Sequence, residues 1–240
     1  MIIIKFFDPG LRYSRGMKKL IEGIVEFRRT KVPIYRERFA DLAHGQSPRF
    51  LFFACADSRV ITTMIASSEP GDIFLVRNVG NLIPRSSPAG QPSGEVSEGA
   101  AIEFALSRFD ISDVIVCGHS ECGAMLALSE GGKQENLPSL HTWLSYGETA
   151  LKRLEESCDF CPELPFHNRL SRINLLLQLE NLMSYPLVES RVRQGKMRLN
   201  AWWFDVAKAD VYGYDAETKR FVLIDEKGAE HFINRLEGEP

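Results

Sequence analysis

The chain has 240 residues, a formal net charge of -3, 44% hydrophobic and 25% charged residues, a composition ordinary for a soluble globular protein with room for a substantial core. There is no basic excess to neutralise phosphates, which argues against a general nucleic-acid binder, and no apolar run approaches the ~18–20 residues of a membrane span. The five cysteines are an odd count without scaffold spacing, which suits a reducing, cytoplasmic setting where thiolates serve metal or stay buried.

The opening Met1-Ile2-Ile3-Ile4-Lys5-Phe6-Phe7 is too short for a signal h-region and has no cationic flank before it, so it does not support export. Residues 1–16 read as a leader with Met17 as an alternative start, and 17–240 as one domain opening with a helical arm over 17–45. Leu20, Ile21, Ile24, Val25 and Phe27 give Met17 to Arg29 an amphipathic helical pattern, with Lys18, Lys19, Arg28 and Arg29 on the wet side. Pro33 opens a second helix and Gly45 closes it. The two helices lack an evident core partner of their own, which predicts an arm that packs across another subunit. Phe50-Leu51-Phe52-Phe53-Ala54 then reads as a fully buried strand, Ile61 to Ser67 as a short helix, and Ile73 to Arg77 as a second strand. Pro84 to Gly94 reads as a loop, Glu95 to Arg108 as a helix, and Val114 to Cys117 as a third strand with a helix from about Ser120. This alternation implies parallel strands with right-handed crossovers. Leu137 to Glu156 and Leu170 to Gln194 read as long helices; Leu199 to Val206, Val211 to Tyr214 and Phe221 to Ile224 read as strands, the last two in a hairpin. The predicted fold is α/β: a mostly parallel central β-sheet flanked by helices, with an N-terminal helical arm.

Two turns stand at the ends of predicted strands: Cys55-Ala56-Asp57-Ser58-Arg59 and His119-Ser120-Glu121-Cys122-Gly123. If the strands are neighbours and parallel, Cys55, His119 and Cys122 meet where open α/β sheets put their sites. Two thiolates and an imidazole make a three-ligand zinc set with a fourth position to spare. Cys122 stands at a predicted helix N-terminus, where N–H groups favour the thiolate. Because two thiolates cancel the charge of the ion, activating water there needs help from the surroundings. Asp57 can orient the water and Arg59 can fix Asp57 by a bidentate pair. Asp57 can also serve as a fourth ligand that closes the site, and spacing alone does not choose between these.

Cys-x-Asp-Ser-Arg at 55–59 followed by His-x-x-Cys at 119–122 resembles the signature of the β-class carbonic anhydrases. Gly45-Gln46-Ser47-Pro48, Gly71-Asp72 through Arg77-Asn78-Val79, Gly99-Ala100-Ala101-Ile102-Glu103 and Gly118-His119-Ser120 resemble that family in order and spacing. The resemblance implies one zinc per subunit on Cys55, His119 and Cys122, with Asp57 and Arg59 as a catalytic dyad. It implies reversible hydration of CO2 to bicarbonate and a proton by zinc-bound hydroxide, in a homodimer or higher homo-oligomer. The implied substrate pocket is Gln46, Phe74, Val79, Phe104 and Gly123, partly from a second subunit, with Phe104 where many relatives have Tyr. Phe52, Arg77 and Phe204 match positions where some members hold a Trp, an Arg and a Tyr around an inhibitory bicarbonate. With two of three polar handles replaced, no such inhibition is expected, and the site is expected to be open to water at neutral pH.

Other readings compete. The same zinc chemistry suits a hydrolase of carbonyl sulfide or carbon disulfide, and permanent ligation by Asp57 would leave a non-catalytic zinc-stabilised module. Cys158-Asp159-Phe160-Cys161 can be half a metal site or a redox pair, and with His119-Ser120-Glu121 it mimics a deaminase pattern. The mimicry lacks Pro before Cys158 and leaves Cys55, Asp57 and Arg59 without work, and the pair follows a helical run rather than a strand, so it reads as incidental thiols in a surface loop. Cys117 is expected as buried packing, the remaining histidines as surface or capping residues, and the tryptophans as core or interface.

Overall fold

The computed structural model describes residues 15–86, 96–131, 136–157 and 160–238. The leader up to residue 14, most of the Pro84–Gly94 loop and Cys158 lie outside the described residues. The chain divides into two compact units, Met1–Gln46 and Ser47–Pro240.

The first unit holds α1 (Arg15–Thr30) and α2 (Val32–Leu42). Helix α1 begins two residues before Met17, at Arg15. Its apolar residues Leu20, Ile21, Ile24, Val25 and Phe27 are all exposed. Pro33 sits in the first turn of α2, where its missing N–H leaves no bond unmade.

The second unit is built on β1 (Phe50–Cys55), α3 (Thr62–Ile65), β2 (Ile73–Asn78), α4 (Ser97–Arg108), β3 (Asp113–His119) and α5 (Gly123–Ser129). There follow α6 (Pro138–Leu144), α7 (Glu148–Glu156), α8 (Phe166–Leu182), α9 (Pro186–Arg193), β4 (Arg198–Asp205), β5 (Asp210–Asp215), β6 (Arg220–Leu223) and α10 (Glu226–Gly238). The six strands form one sheet in the order β2-β1-β3-β4-β5-β6. The pairings β1–β2, β1–β3 and β3–β4 are parallel, while β4–β5 and β5–β6 are antiparallel. The expected α/β sheet is present, mostly parallel with an antiparallel edge.

Strand alternation divides the core. Leu51, Phe53, Val114, Val116, Ala201 and Trp203 pack in one buried cluster, and Phe52, Ala54, Ile115, Cys117 and Phe204 in another. Helix α8 lies against β3 at Gly118, where a Cβ would stand 3.0 Å from Ser171 Oγ and 3.3 Å from Leu175. Glycine is what permits that approach.

Three expectations need correction. The stretch Leu137–Glu156 is two helices, divided by a 3-10 turn at Ser145–Gly147; a Cβ on Gly147 would come 2.8 Å from Leu128 Cδ2, so glycine there lets α5 pack close without moving that side chain. The stretch Leu170–Gln194 also divides, because Pro186 cannot continue α8 and instead opens α9. Helix α5 starts at Gly123 rather than Ser120, since Glu121 takes a left-handed conformation (φ 54°) that breaks helical pairing. Helix α10 is an addition, docking Phe232 over Gly213 of β5.

Asp215, 1% exposed, secures that last helix. It accepts hydrogen bonds from Thr218 Oγ1 (2.9 Å), the Glu217 N–H (3.0 Å) and Arg235 Nη1, and His231 Nε2 lies 3.1 Å away. Burial opposes its charge, but these partners outweigh burial and hold the carboxyl well below its usual range. Asp215→Asn is expected to cost ~3 kcal/mol at neutral pH, read by urea denaturation. Because the folded-state pKa is depressed, the difference from the parent should be full above the unfolded carboxyl value of about 3.9 and close as pH falls below it.

Candidate metal centre

Ala54 of β1 lies level with Cys117 of β3, so the two strands deliver their C-terminal ends side by side. Cys55 ends β1, His119 ends β3, and Cys122 caps α5. Their ligand atoms lie within 4.8 Å of one another and all three residues are buried. The two sulfurs are 4.0 Å apart. The Gly80 N–H donates to Cys55 Sγ at 3.4 Å, from a backbone with φ 80° that brings the Gly80 Cα against Ala124. The hydrogen bond with Cys122, opposed by burial and aided by His119, Gly80 and the Asp57 backbone, pulls the Cys55 thiol far down. Cys122 is pushed up in turn, by the hydrogen bond it donates to the Cys55 sulfur, by burial and by the negative charge of Cys55.

His119 Nδ1 stands 2.8 Å from the Ser120 carbonyl oxygen. A carbonyl only accepts, so Nδ1 carries the proton and Nε2 presents a lone pair. That Nε2 is fully buried and has no hydrogen-bond partner. An orphaned buried acceptor beside two sulfurs is costly unless a cation completes it. The donor set of one imidazole and two thiolates fits zinc.

Asp57 faces this centre, its Oδ2 3.9 Å from His119 Nε2. Arg59 grips it through Nε to Oδ1 (2.9 Å), Nη2 to Oδ2 (2.7 Å) and its backbone N–H to Oδ1 (2.9 Å). These bonds, against some burial, hold the Asp57 carboxyl well below its ordinary pKa, and the nearby imidazole adds to the effect. Arg59 Nη2 also donates to the Glu121 carbonyl at 2.9 Å, tying the two turns together.

Residues 50–211 match the carbonic anhydrase family model. The fold is similar to that of the β-carbonic anhydrase CcaA, with a TM-score of 0.81 at 36% identity over 89% of this chain and 94% of that one. The chain belongs to the β-class carbonic anhydrases. Among curated relatives, the carbonic anhydrase of Synechocystis sp. is 39% identical over 224 residues (93% of this chain, 78% of that protein). That of Pseudomonas aeruginosa is 34% identical over 225 residues (93% of this chain, 98% of that protein). These similarities make it a carbonic anhydrase by activity.

Within this carbonic anhydrase the expected pocket residues do not all converge. Val79 precedes Gly80 beside Cys55, and its carbonyl accepts from Trp143 Nε1 at 2.7 Å. Gly123 follows Cys122, with open space where a Cβ would be. Phe74 instead pairs with Leu51, four positions before Cys55 and thus ~13 Å along the strand. Phe74 and Phe104 stack there, ring centres 5.9 Å apart, with Phe109 packed against both. Gln46 is exposed at the end of the first unit. Phe52 and Phe204 are buried in the core.

Several residues that build the centre escaped sequence reasoning. Arg77, noted only for its match to the inhibitory pocket, donates to the carbonyls of Cys55 (3.0 Å), Asp57 (2.7 Å) and Val60 (2.8 Å), clamping the Asp57 turn. Asn168 accepts from the Glu121 N–H (2.7 Å) and donates to the Glu121 carboxylate (2.9 Å), stabilising the left-handed turn between ligands. Ser171 donates to the His119 carbonyl at 2.9 Å, and Asn174 to that of Gly80 at 3.3 Å. The only trace in sequence was an unusual density of Asn, Ser and Gln in an otherwise apolar helix. Cys161 is partly exposed, and Cys158 lies outside the described residues.

Arg77→Met should strand the carbonyls of Cys55, Asp57 and Val60. It is expected to destabilise the fold by ~2 kcal/mol, measured as a lower urea midpoint with unchanged slope.

Proposed function

We propose that this β-carbonic anhydrase holds one zinc ion on Cys55 Sγ, His119 Nε2 and Cys122 Sγ, and uses Asp57 and Arg59 as its dyad in reversible CO2 hydration. The carrying observation is the buried, unpartnered Nε2 of His119 beside two sulfurs, with a carboxylate 3.9 Å away. Zinc bound there supplies Lewis-acid activation of water. Asp57, kept ionised by Arg59, would accept a hydrogen bond from the reacting water and so orient its lone pair toward CO2. Arg59 occupies both carboxylate oxygens, which favours an orienting Asp57 over one that closes onto the metal.

The substrate is small and neutral, and an apolar wall suffices for it. Val79 and Gly123 line it from the same chain; Gln46, Phe74 and Phe104 complete it from a second copy, in a homodimer or higher homo-oligomer. The exposed apolar row of α1 suits the arm of such an assembly. Phe52 and Phe204 offer no side-chain donor, and Arg77 is spent on three carbonyls, so bicarbonate inhibition through these positions is absent. Among the described residues no helix is long and apolar enough to cross a membrane, and buried free thiols suit the cytoplasm.

Cys55→Ser and His119→Ala are expected to purify without zinc. Asp57→Ala should retain stoichiometric zinc yet lose about a hundredfold or more in stopped-flow CO2 hydration. Undiminished turnover in zinc-loaded Asp57→Ala would remove the dyad from the mechanism.

A further inference from the structure

Arg172 of α8 is only 6% exposed. Its guanidinium carbon stands 4.2 Å from the ring centre of Trp203, 5.0 Å from that of Phe221 and 5.2 Å from that of Tyr212. Such a cage retains the charge. Its neutralisation is thin: Nε has no acceptor, and Nη1 meets the Cys161 sulfur at 3.4 Å and the largely exposed Glu163 only at 3.9 Å. A buried guanidinium this short of acceptors calls for an explanation.

Arg172 borders a cavity of about 400 Å3 between the loop before α8 and the β5–β6 turn. Lys219 and Arg220 line the same cavity, and neither is paired with a carboxylate among the described residues. Three cations therefore face the single carboxylate of Glu163. Phe160, Pro162 and Phe221 form an apolar side. The volume lies in the range of small-ligand pockets and exceeds what a bare tetrahedral anion fills.

We infer that this cavity is a binding site for a phosphate monoester, with Arg172, Lys219 and Arg220 on the phosphoryl oxygens and the esterified group against Phe160, Pro162 and Phe221. Arg172 supplies the fixed fork, which suits phosphoryl oxygens, and the hairpin cations close over it. Glu163 opposes the anion and weakens it.

The test is calorimetric titration of the purified full chain at low salt with phenyl phosphate, inorganic phosphate and phenol. Phenyl phosphate should bind, inorganic phosphate about tenfold more weakly, and phenol not measurably. Lys219→Ala/Arg220→Ala, both exposed in the parent, should weaken phenyl phosphate about tenfold or more and leave CO2 hydration unchanged. Arg172→Met should abolish binding, and Glu163→Gln should tighten it severalfold. Equal affinity in parent and Lys219→Ala/Arg220→Ala would put the anion elsewhere, at the metal centre for instance, and overturn the proposal. Absence of phenyl phosphate binding, or no tightening in Glu163→Gln, would do the same. Inorganic phosphate binding as tightly as phenyl phosphate would overturn the monoester assignment.

Discussion

The parallel register of β1 against β3 is the constraint on which the centre rests. A slip of one residue would turn the side chains of Cys55 and its neighbours to the other face of the sheet and break the ligand set. The sequence guards against it because the two faces are not interchangeable. Phe53 and Val116 pack into one cluster with Trp203, and Ala54 and Cys117 into another with Phe52 and Phe204. Exchanging the faces would force large rings into the space of Ala54 and leave voids elsewhere, errors of several kcal/mol at each position. The cores on both sides thus set where the two strands end, and with that where the sulfurs and the imidazole begin.

Register alone does not place the turns that follow. Helix α8 does, and it does so with polar side chains buried in the protein. Asn168 holds the Glu121 turn, Ser171 the His119 carbonyl, Asn174 the Gly80 carbonyl, and Gln178 and Asn181 the N–H and carbonyl of Ile83. The bonds to His119, Gly80 and Ile83 satisfy buried backbone groups, which offsets the cost of burying these polar side chains. One helix thereby references two chain segments, 80–83 and 119–121, to a common frame. Arg59 adds a further tie, since its guanidinium spans from the Asp57 carboxylate to the Glu121 carbonyl. The Asp57 turn and the turn after β3 are thus joined directly.

The convergence of Cys55, His119 and Cys122, the Asp57–Arg59 pair and the first three strands were legible in the sequence because each depends on local pattern: an apolar run, a polar stop, a cysteine or histidine at the stop. What stayed hidden depends on partners distant in sequence. Arg77 reads as an ordinary strand-end cation until its guanidinium is seen beneath the Asp57 turn. The Asn and Gln residues of α8 lower its helical amphipathicity and look like a solvated face, yet they are buried. The breaks at Gly147 and Tyr185-Pro186 were masked by helical patterns that continue on either side. Helix α10 escaped because its charged residues outnumber Phe232, Ile233 and Leu236, and its docking depends on the absence of a side chain at Gly213. Phe74 and Phe104 were assigned to the pocket by resemblance, and within one chain they form an aromatic stack lower on the sheet.

The cysteines show how far position, rather than residue type, decides sulfur chemistry. Cys117 lies two residues before His119 on the same strand, yet its surroundings are Phe52, Ala54 and Ile115. Burial, and then the negative charge of Cys55, push its thiol up to about 12, so it serves as packing. Cys55 is also buried but is the last residue of β1, where the Gly80 N–H turns toward its sulfur. Cys122 caps α5 and meets the N–H groups of Ala124 and Met125, which favour its thiolate against burial and the neighbouring negative sulfur. A strand end and a helix start supply the unpaired N–H groups that a mid-strand position has already spent on its neighbours. Two strand ends and a helix start, rather than the sheet interior, therefore bring Cys55, His119 and Cys122 together, and the third thiol so close by stays in the packing.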